Sequence, residues 1–312
     1  MEEGALSMYD TRYAQLSSLP RSVRPLAGDG STRRYERITM PGQPSMVAML
    51  FDEPQTAFLR IHKILEPHVR VPLLYDTYEG MLLLEDLGNV SLLHEASRYS
   101  CEPLYEKALE IAASFQKVQA DFSSFDTETF MREVAWTEMH FGALLMDERG
   151  FMGPFHALRA PMERLCEEIA AMPFVPVHRD YHAKNLMVHE GELVTIDFQD
   201  MRLGPACYDI VSLLYDSYFL LPDDMRNRLL QYAHSLGNYG SYESFLIQCD
   251  KVAIQRLWKA VGSFASFLML RKKTAYLRHI GLACEMMRII AHRQGLTQLH
   301  ASLVEIVYGP VK

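Results

Sequence analysis

The chain contains no run of eighteen or more apolar residues. Its richest stretch, Val261 to Leu270, falls short of the ~20 residues that a helix needs to span a bilayer. It also lacks any C-x-x-C pair: the five cysteines, Cys101, Cys166, Cys207, Cys249 and Cys284, are odd in number and far apart. That spacing excludes a disulfide framework or a cysteine-based zinc site and leaves buried, reduced thiols as the expectation. No basic run interleaved with aromatics is present, so nucleic-acid binding has no support. The start, Met1-Glu2-Glu3-Gly4, is acidic and lacks the positive-then-apolar pattern of a signal segment. No internal repeat or low-complexity segment is visible. The expectation is a cytoplasmic protein with no nucleic-acid partner, no membrane partner and no obligate protein partner.

What is present describes an ordinary globular chain, 49% apolar and 22% charged over 312 residues, long enough for two lobes. The net charge of −8 is unevenly spread. From Met201 onward there are thirteen Lys and Arg against eight Asp and Glu, which leaves −13 on the first two hundred residues.

The first ninety residues read as short strands with turns and one helix. Arg33 to Thr39 and Ser45 to Phe51 are strand-like, separated by the turn chemistry of Met40-Pro41-Gly42-Gln43-Pro44. Gln55 to Leu65 has helical apolar spacing. Val71 to Tyr78 and Gly80 to Glu85 are two more expected strands, turned at Glu79-Gly80. After Leu87-Gly88 the pattern becomes helical: Cys101 to Ala120, Phe130 to Met146 and Pro161 to Ala171. Two short β runs, Asn185 to Val188 and Leu193 to Asp197, then flank the turn His189 to Glu192. Everything beyond Asp209 again reads as helix, in segments Ile210 to Leu220, Asp224 to His234, Tyr242 to Leu270 and Lys273 to Gln294. This predicts an α+β chain with a β-rich lobe over residues 1–87, a helix-rich lobe over 88–312, and a functional cleft between them.

The chemistry concentrates in His178-Arg179-Asp180-Tyr181-His182-Ala183-Lys184-Asn185, followed by Ile196-Asp197-Phe198-Gln199-Asp200. An H-R-D-x-x-x-x-N segment with a second carboxylate on the next strand is what ATP-dependent phosphoryl transfer needs. Asp180 would orient and deprotonate an attacking hydroxyl, and Asn185 with Asp197 would hold Mg²⁺ through hard oxygen ligands. His178, His182 and His189 invite a zinc reading, but no further Cys or His completes a ligand set, and His178 is expected to brace the loop. Gly28-Asp29-Gly30-Ser31-Thr32-Arg33-Arg34-Tyr35 is a candidate phosphate-covering turn: Gly28, Gly30 and Ser31 would offer backbone N–H groups, and Arg33 or Arg34 a cation. In Leu82-Leu83-Leu84-Glu85-Asp86-Leu87-Gly88, backbone groups around Glu85 and Leu87 would meet an adenine edge without needing their side chains. Asp209, at the start of a helix, is expected to be structural.

These segments, together with Gly204-Pro205-Ala206-Cys207-Tyr208-Asp209 downstream, resemble the aminoglycoside phosphotransferase/choline kinase family, the small-molecule relatives of protein kinases. The resemblance implies a protein-kinase-like bilobal fold, ATP and Mg²⁺ as cofactors, and a small-molecule acceptor. No A-P-E counterpart is evident, which argues against a protein substrate. With Gln255-Arg256-Leu257-Trp258-Lys259 included, the motifs are similar to the bacterial amino-sugar kinases of cell-wall recycling. That narrower likeness implies phosphorylation of the anomeric hydroxyl of N-acetylmuramate and N-acetylglucosamine.

One departure stands out. The strand Val47-Ala48-Met49-Leu50-Phe51 lies where kinases carry V-A-I-K, and it has no lysine; Arg33, Arg34 or Lys63 are the candidate substitutes. The basic balance from Met201 onward suits a neutral or anionic sugar better than a polycationic antibiotic. Three readings therefore stand: a kinase of small metabolites, most specifically sugars; a non-catalytic nucleotide-binding regulator; and an aminoglycoside- or choline-type phosphotransferase.

Overall fold

The computed structural model describes residues 11–26, 33–97, 101–149, 153–272 and 274–309. In chain order the elements are β1 (Ser22–Leu26), β2 (Arg34–Thr39), β3 (Met46–Leu50), α1 (Thr56–Leu65), β4 (Leu74–Tyr78), β5 (Met81–Glu85), α2 (Leu92–Ala96), α3 (Glu102–Phe115), α4 (Thr127–Arg149) and α5 (Gly153–Ala170). There follow β6 (Phe174–Val177), β7 (Leu186–His189), β8 (Glu192–Thr195), β9 (Arg202–Pro205), α6 (Tyr208–Leu214), α7 (Asp223–Ser235), α8 (Tyr242–Arg271), α9 (Tyr276–Arg293) and α10 (Thr297–Tyr308). The chain divides into two compact units, Met1–Val90 with Met187–Gln199, and Ser91–Leu186 with Asp200–Lys312.

The first unit is built on an antiparallel sheet of order β1-β2-β3-β5-β4. Side chains alternate across a strand, so the register Tyr35↔Met49↔Leu82 beside Glu36↔Ala48↔Leu83 sorts them onto two faces. On one face Ile38, Met46, Ala48, Leu50, Met81 and Leu83 form a core with Tyr13 and Leu16. Tyr35, Met49 and Leu82 occupy the other. The hairpin at Glu79-Gly80 needs its glycine twice over. Gly80 has φ +71°, and a Cβ there would lie 2.9 Å from Arg12 Cδ. Arg12 in turn donates to the carbonyls of Phe51 at 2.8 Å and Gly80 at 3.0 Å. The β7–β8 hairpin joins this unit through Val188 N–H to the Val90 carbonyl (2.8 Å) and Thr195 N–H to the Arg70 carbonyl (2.9 Å). The first unit is therefore more than the sequence up to residue 87, because a later hairpin hydrogen-bonds back to it.

Two elements depart instructively from the sequence pattern. β1 has no apolar alternation and contains Pro25; it exists as an edge strand because β2 pairs with it, which is where a proline is tolerated. Helix α5 starts at Gly153, eight residues before Pro161, and runs through that proline. Phe155, Leu158, Met162, Leu165, Cys166 and Ile169 are all buried, a helical period that continues across Pro161, so packing outweighs the lost N–H.

In the second unit β6 pairs with β9 beside a helical body in which α8 packs extensively on α4 and α9. The α4–α8 approach is close enough that a Cβ on Gly262 would lie 2.8 Å from the Thr137 Cα, and the Thr137 hydroxyl donates to the Trp258 carbonyl at 2.9 Å. Gly262→Ala is expected to lower stability by about 1–3 kcal/mol through overpacking. Gly281→Ala on α9, where nothing lies within 4 Å, should be neutral or stabilising. Denaturant melts of the two variants check this, and equal behaviour would refute the close-packing account. All five cysteines are buried and free. No described helix is long and apolar enough to cross a membrane.

Candidate active site

The segment His178 to Asn185 follows β6 and is tied down at both ends. Asp209, at the start of α6, is buried, and its two carboxylate oxygens accept the N–H groups of His178 at 2.6 Å and Arg179 at 3.1 Å. That grip compensates for the left-handed backbone of Arg179, φ +80°, a conformation that costs a non-glycine residue energy unless its surroundings enforce it. Further along, His182 N–H donates to the Asp180 carbonyl at 3.0 Å and Asn185 N–H to the His182 carbonyl at 2.9 Å. The Asn185 side-chain amide donates to the same Asp180 carbonyl at 2.9 Å. His178 is fully buried, its ring 5.9 Å from Phe115 and 5.6 Å from Tyr181. Its place is in the packing beneath the loop.

The Asp180 carboxylate meets an ion network delivered by helices distant in sequence. Lys259 of α8 donates to Asp180 Oδ1 at 3.1 Å and lies 3.8 Å from Glu133 of α4. Glu133 also accepts from Arg179 at 3.3 Å and from Gln255 at 2.8 Å, while Arg256 donates to the Ser212 hydroxyl. Burial pushes the Asp180 pKa up, but Lys259, Arg256 and Arg179 together outweigh it and hold the carboxyl well below the usual range. Burial likewise opposes the charge on Lys259, and Asp180, Tyr208 and Glu133 restore it, leaving the amine above its ordinary value. His182 is driven down to about 3 by burial and by Arg256, so its ring is neutral at working pH.

Behind this loop Asp216 is buried, its Oδ1 accepting the Tyr218 N–H at 2.8 Å, and burial raises its pKa to about 6. A raised folded-state pKa means that the folded protein holds the proton more tightly. The resulting stabilisation is complete below the ordinary carboxylate pKa and is lost as pH rises through about 6. Asp216→Asn should therefore gain thermal stability relative to wild type as pH goes from 4 to 7. Melting curves at unit pH intervals measure this, and a constant difference would show that Asp216 does not titrate in that window.

In the first unit, β8 leads through Ile196 to Asp197, whose φ of +64° turns it sharply off the strand. Gln199 donates to its Oδ1 at 2.8 Å. The next residue, Phe198, is fully buried against Phe58 of α1 at 5.0 Å and His62 at 6.0 Å, anchoring this end of the hairpin to α1. Tyr35, on the sheet face shared with Met49, senses Asp197: burial raises its hydroxyl pKa, a hydrogen bond from Arg33 lowers it, and the Asp197 charge raises it. Arg33 also donates to Gln55 at 2.7 Å. Arg34 pairs with Leu50 on the opposite face, and Lys63 is on the exposed side of α1. Of the three candidate substitutes for the strand lysine, Arg33 is the one shown to hydrogen-bond Tyr35, whose hydroxyl also feels the Asp197 charge. Met49, fully buried, fills that face of β3.

The segment after β5 is shaped by the side chains that the sequence reading had set aside. Arg37 of β2 grips Asp86 in a fork, Nε to Oδ2 at 2.6 Å and Nη2 to Oδ1 at 2.8 Å, and also donates to the Gly88 carbonyl at 3.0 Å. Glu85 pairs with Arg70 at 2.5 Å and accepts the Leu73 N–H at 3.0 Å. The Glu85 N–H is already committed to the Leu73 carbonyl at 2.9 Å, so an adenine edge there would have to use the Glu85 carbonyl and the Leu87 amide.

Asp180 and Asn185 thus share one hydrogen-bonded loop, while Arg33 hydrogen-bonds Tyr35, whose hydroxyl feels the Asp197 charge; Glu85 ends β5 and Leu87 lies two residues beyond it. Gly28, Gly30 and Ser31 lie outside the described residues. Among the described residues no cluster of three or more His, Cys, Asp or Glu is arranged for a metal. Sequence reasoning assigned no role to Lys259 and overlooked Glu133. The available signal was polar: Gln255, Arg256 and Lys259 stand among the apolar residues Val252 to Val261 of α8, and Gln255 is only 1% exposed.

A model described as the phosphotransferase enzyme family matches residues 22–245. The chain is similar to N-acetylmuramate/N-acetylglucosamine kinases of Pseudomonas aeruginosa, 28% identical over 93% of this chain and 90% of that protein, and of Pseudomonas putida, 30% identical over 92% and 89%. In fold it resembles an ADP-bound aminoglycoside phosphotransferase, TM-score 0.56 and 15% identity over 86% of this chain and 92% of that one.

Proposed function

Because the chain belongs to the phosphotransferase enzyme family, and so is a small-molecule kinase acting on a hydroxyl, we propose that it transfers the γ-phosphoryl group of ATP to an amino sugar, N-acetylmuramate or N-acetylglucosamine. The observation that carries the reading is the pairing of Asp180, on the braced loop, with Lys259 of α8. The relatives named for these two sugars span nearly the whole chain and support the choice of acceptor.

Asp180 accepts the hydrogen bond of the sugar hydroxyl and aims its oxygen at phosphorus. Its depressed pKa makes it a weak base, which suits a reaction whose transition state is loose and whose main demand is positioning. As the new O–P bond forms and the bond to the ADP bridging oxygen breaks, the hydroxyl becomes acidic and its proton passes to Asp180, then to water. Lys259 fixes the carboxylate and supplies positive charge beside the reacting oxygens. Asn185 and Asp197 offer hard oxygen donors of the kind Mg²⁺ prefers, and the bound ion would neutralise phosphate charge. Arg33 takes the part of the missing strand lysine. A cytoplasmic setting, where ATP is abundant, completes the reading.

Met49 in place of a cation favours the second reading, a nucleotide-binding regulator without turnover. Incubation with Mg-ATP and each sugar, followed by ³¹P NMR, separates the two. The expected product is an anomeric sugar phosphate with stoichiometric ADP. ATP binding without ADP formation across a sugar and aminoalcohol panel would establish the regulator, and turnover of aminoglycosides alone would overturn the sugar assignment.

A further inference from the structure

The second unit holds a cavity of about 420 Å³ between the candidate catalytic loop and the turn joining α8 to α9. Its wall includes Lys184, Tyr218, Lys272, Thr274, Tyr276 and His279, and among the described residues no carboxylate lines it. The aromatic wall is pre-built. Tyr218 lies 5.7 Å from His182, 5.3 Å from Phe264 and 5.0 Å from His279, and Tyr276 stacks on Phe264 at 5.4 Å. Lys184 Nζ sits 3.8 Å over the Tyr218 ring. His279 Nδ1–H donates to the Ser217 carbonyl at 2.8 Å, which directs its other nitrogen elsewhere. Lys272 caps α8 in the left-handed conformation, φ +51°, and is exposed.

Tyrosine faces flanked by ammonium groups suit a sugar ring that carries a negative substituent. The cavity reaches the loop through Lys184, next to Asn185 and four residues from Asp180, so a ligand seated there extends from the loop that holds the acceptor hydroxyl. Resting on the amino-sugar reading above, we propose that this cavity is the subsite for the acceptor's carboxylate. Lys184 and Lys272 bind the lactyl carboxylate of N-acetylmuramate, and they distinguish it from N-acetylglucosamine, which has none. The charge excess in the C-terminal part of the chain thereby acquires a location.

The test compares kcat/KM for three acceptors: N-acetylmuramate, its methyl ester and N-acetylglucosamine. In Lys272→Gln, and separately in Lys184→Gln, kcat/KM for N-acetylmuramate should fall roughly 10–100-fold, the range of a lost charge-assisted contact. In Lys272→Gln, values for N-acetylglucosamine and the ester should stay within about 2-fold, and in Lys184→Gln the loss for N-acetylmuramate should exceed that for the other two acceptors. The ester should already show the same deficit with wild-type protein. Equal losses on all three acceptors, or no change on any, would overturn the subsite and leave the kinase assignment standing. Wild-type protein that phosphorylates neither sugar would instead overturn both.

Discussion

Asp180→Asn is expected to lower kcat for the sugar acceptor by roughly 10²–10⁴-fold, the contribution of a positioned proton acceptor, with little change in KM or melting temperature. The substitution is nearly isosteric. The loop contacts that set its shape run through the Asp180 carbonyl, to His182 and Asn185, and through Asp209 to His178 and Arg179, so they survive the change. What is lost is a carboxylate held ionised by Lys259, Arg256 and Arg179. Steady-state kinetics paired with thermal melts are the measurement. A variant that kept most of its kcat would remove Asp180 from the reaction, and one that lost kcat together with its fold would point to a structural role.

Lys259→Met should have the second largest effect, and its signature is a pH profile. In wild type the cations hold the Asp180 pKa below the ordinary carboxylate range, so Asp180 contributes no acid limb above that range. Removing Lys259 takes away the largest of those opposing influences, while burial, which pushes the pKa up, remains. The folded pKa therefore rises, and activity should now fall as pH drops through the ordinary carboxylate range or somewhat above it. At neutral pH kcat should still fall by roughly 10²–10³-fold, as when one charge-stabilising donor is removed. Glu133 keeps Arg179 and Gln255 as partners, so the network is thinned without being emptied. Lys259→Arg should recover part of the rate and most of the wild-type profile. An unshifted acid limb in Lys259→Met would show that the 3.1 Å pair does not govern Asp180.

The fold was legible wherever local pattern decides structure. Strands β2, β3 and β5 and helices α1, α7, α8 and α9 carry their own periodicity, and the hairpin at Glu79-Gly80 carries its own turn chemistry. Strand β1 was not legible, because an exposed edge strand is defined by its partner. The start of α5 was obscured because Pro161 imitates a helix beginning. Around the candidate site, an eight-residue spacing and a strand-end carboxylate single out Asp180, Asn185 and Asp197 in the sequence. Their supports were not legible there: Arg37 reaches Asp86 across 49 residues and Lys259 reaches Asp180 across 79.

By itself the sequence pointed to the reaction class, since an eight-residue segment that holds Asp180 and Asn185, with Asp197 at the end of the next strand, is encoded by local spacing alone. Tertiary structure alone decided which charge accompanies Asp180 and which side chains share the sheet face of Tyr35. The first choice depends on α4 and α8 packing closely enough, over Gly262 and Thr137, to bring Glu133 and Lys259 together. The second depends on strand register, which places Tyr35 and buried Met49 on one face and Arg34 on the other. Ion pairs between distant segments follow from how helices pack and strands align, and no window along the chain contains that information.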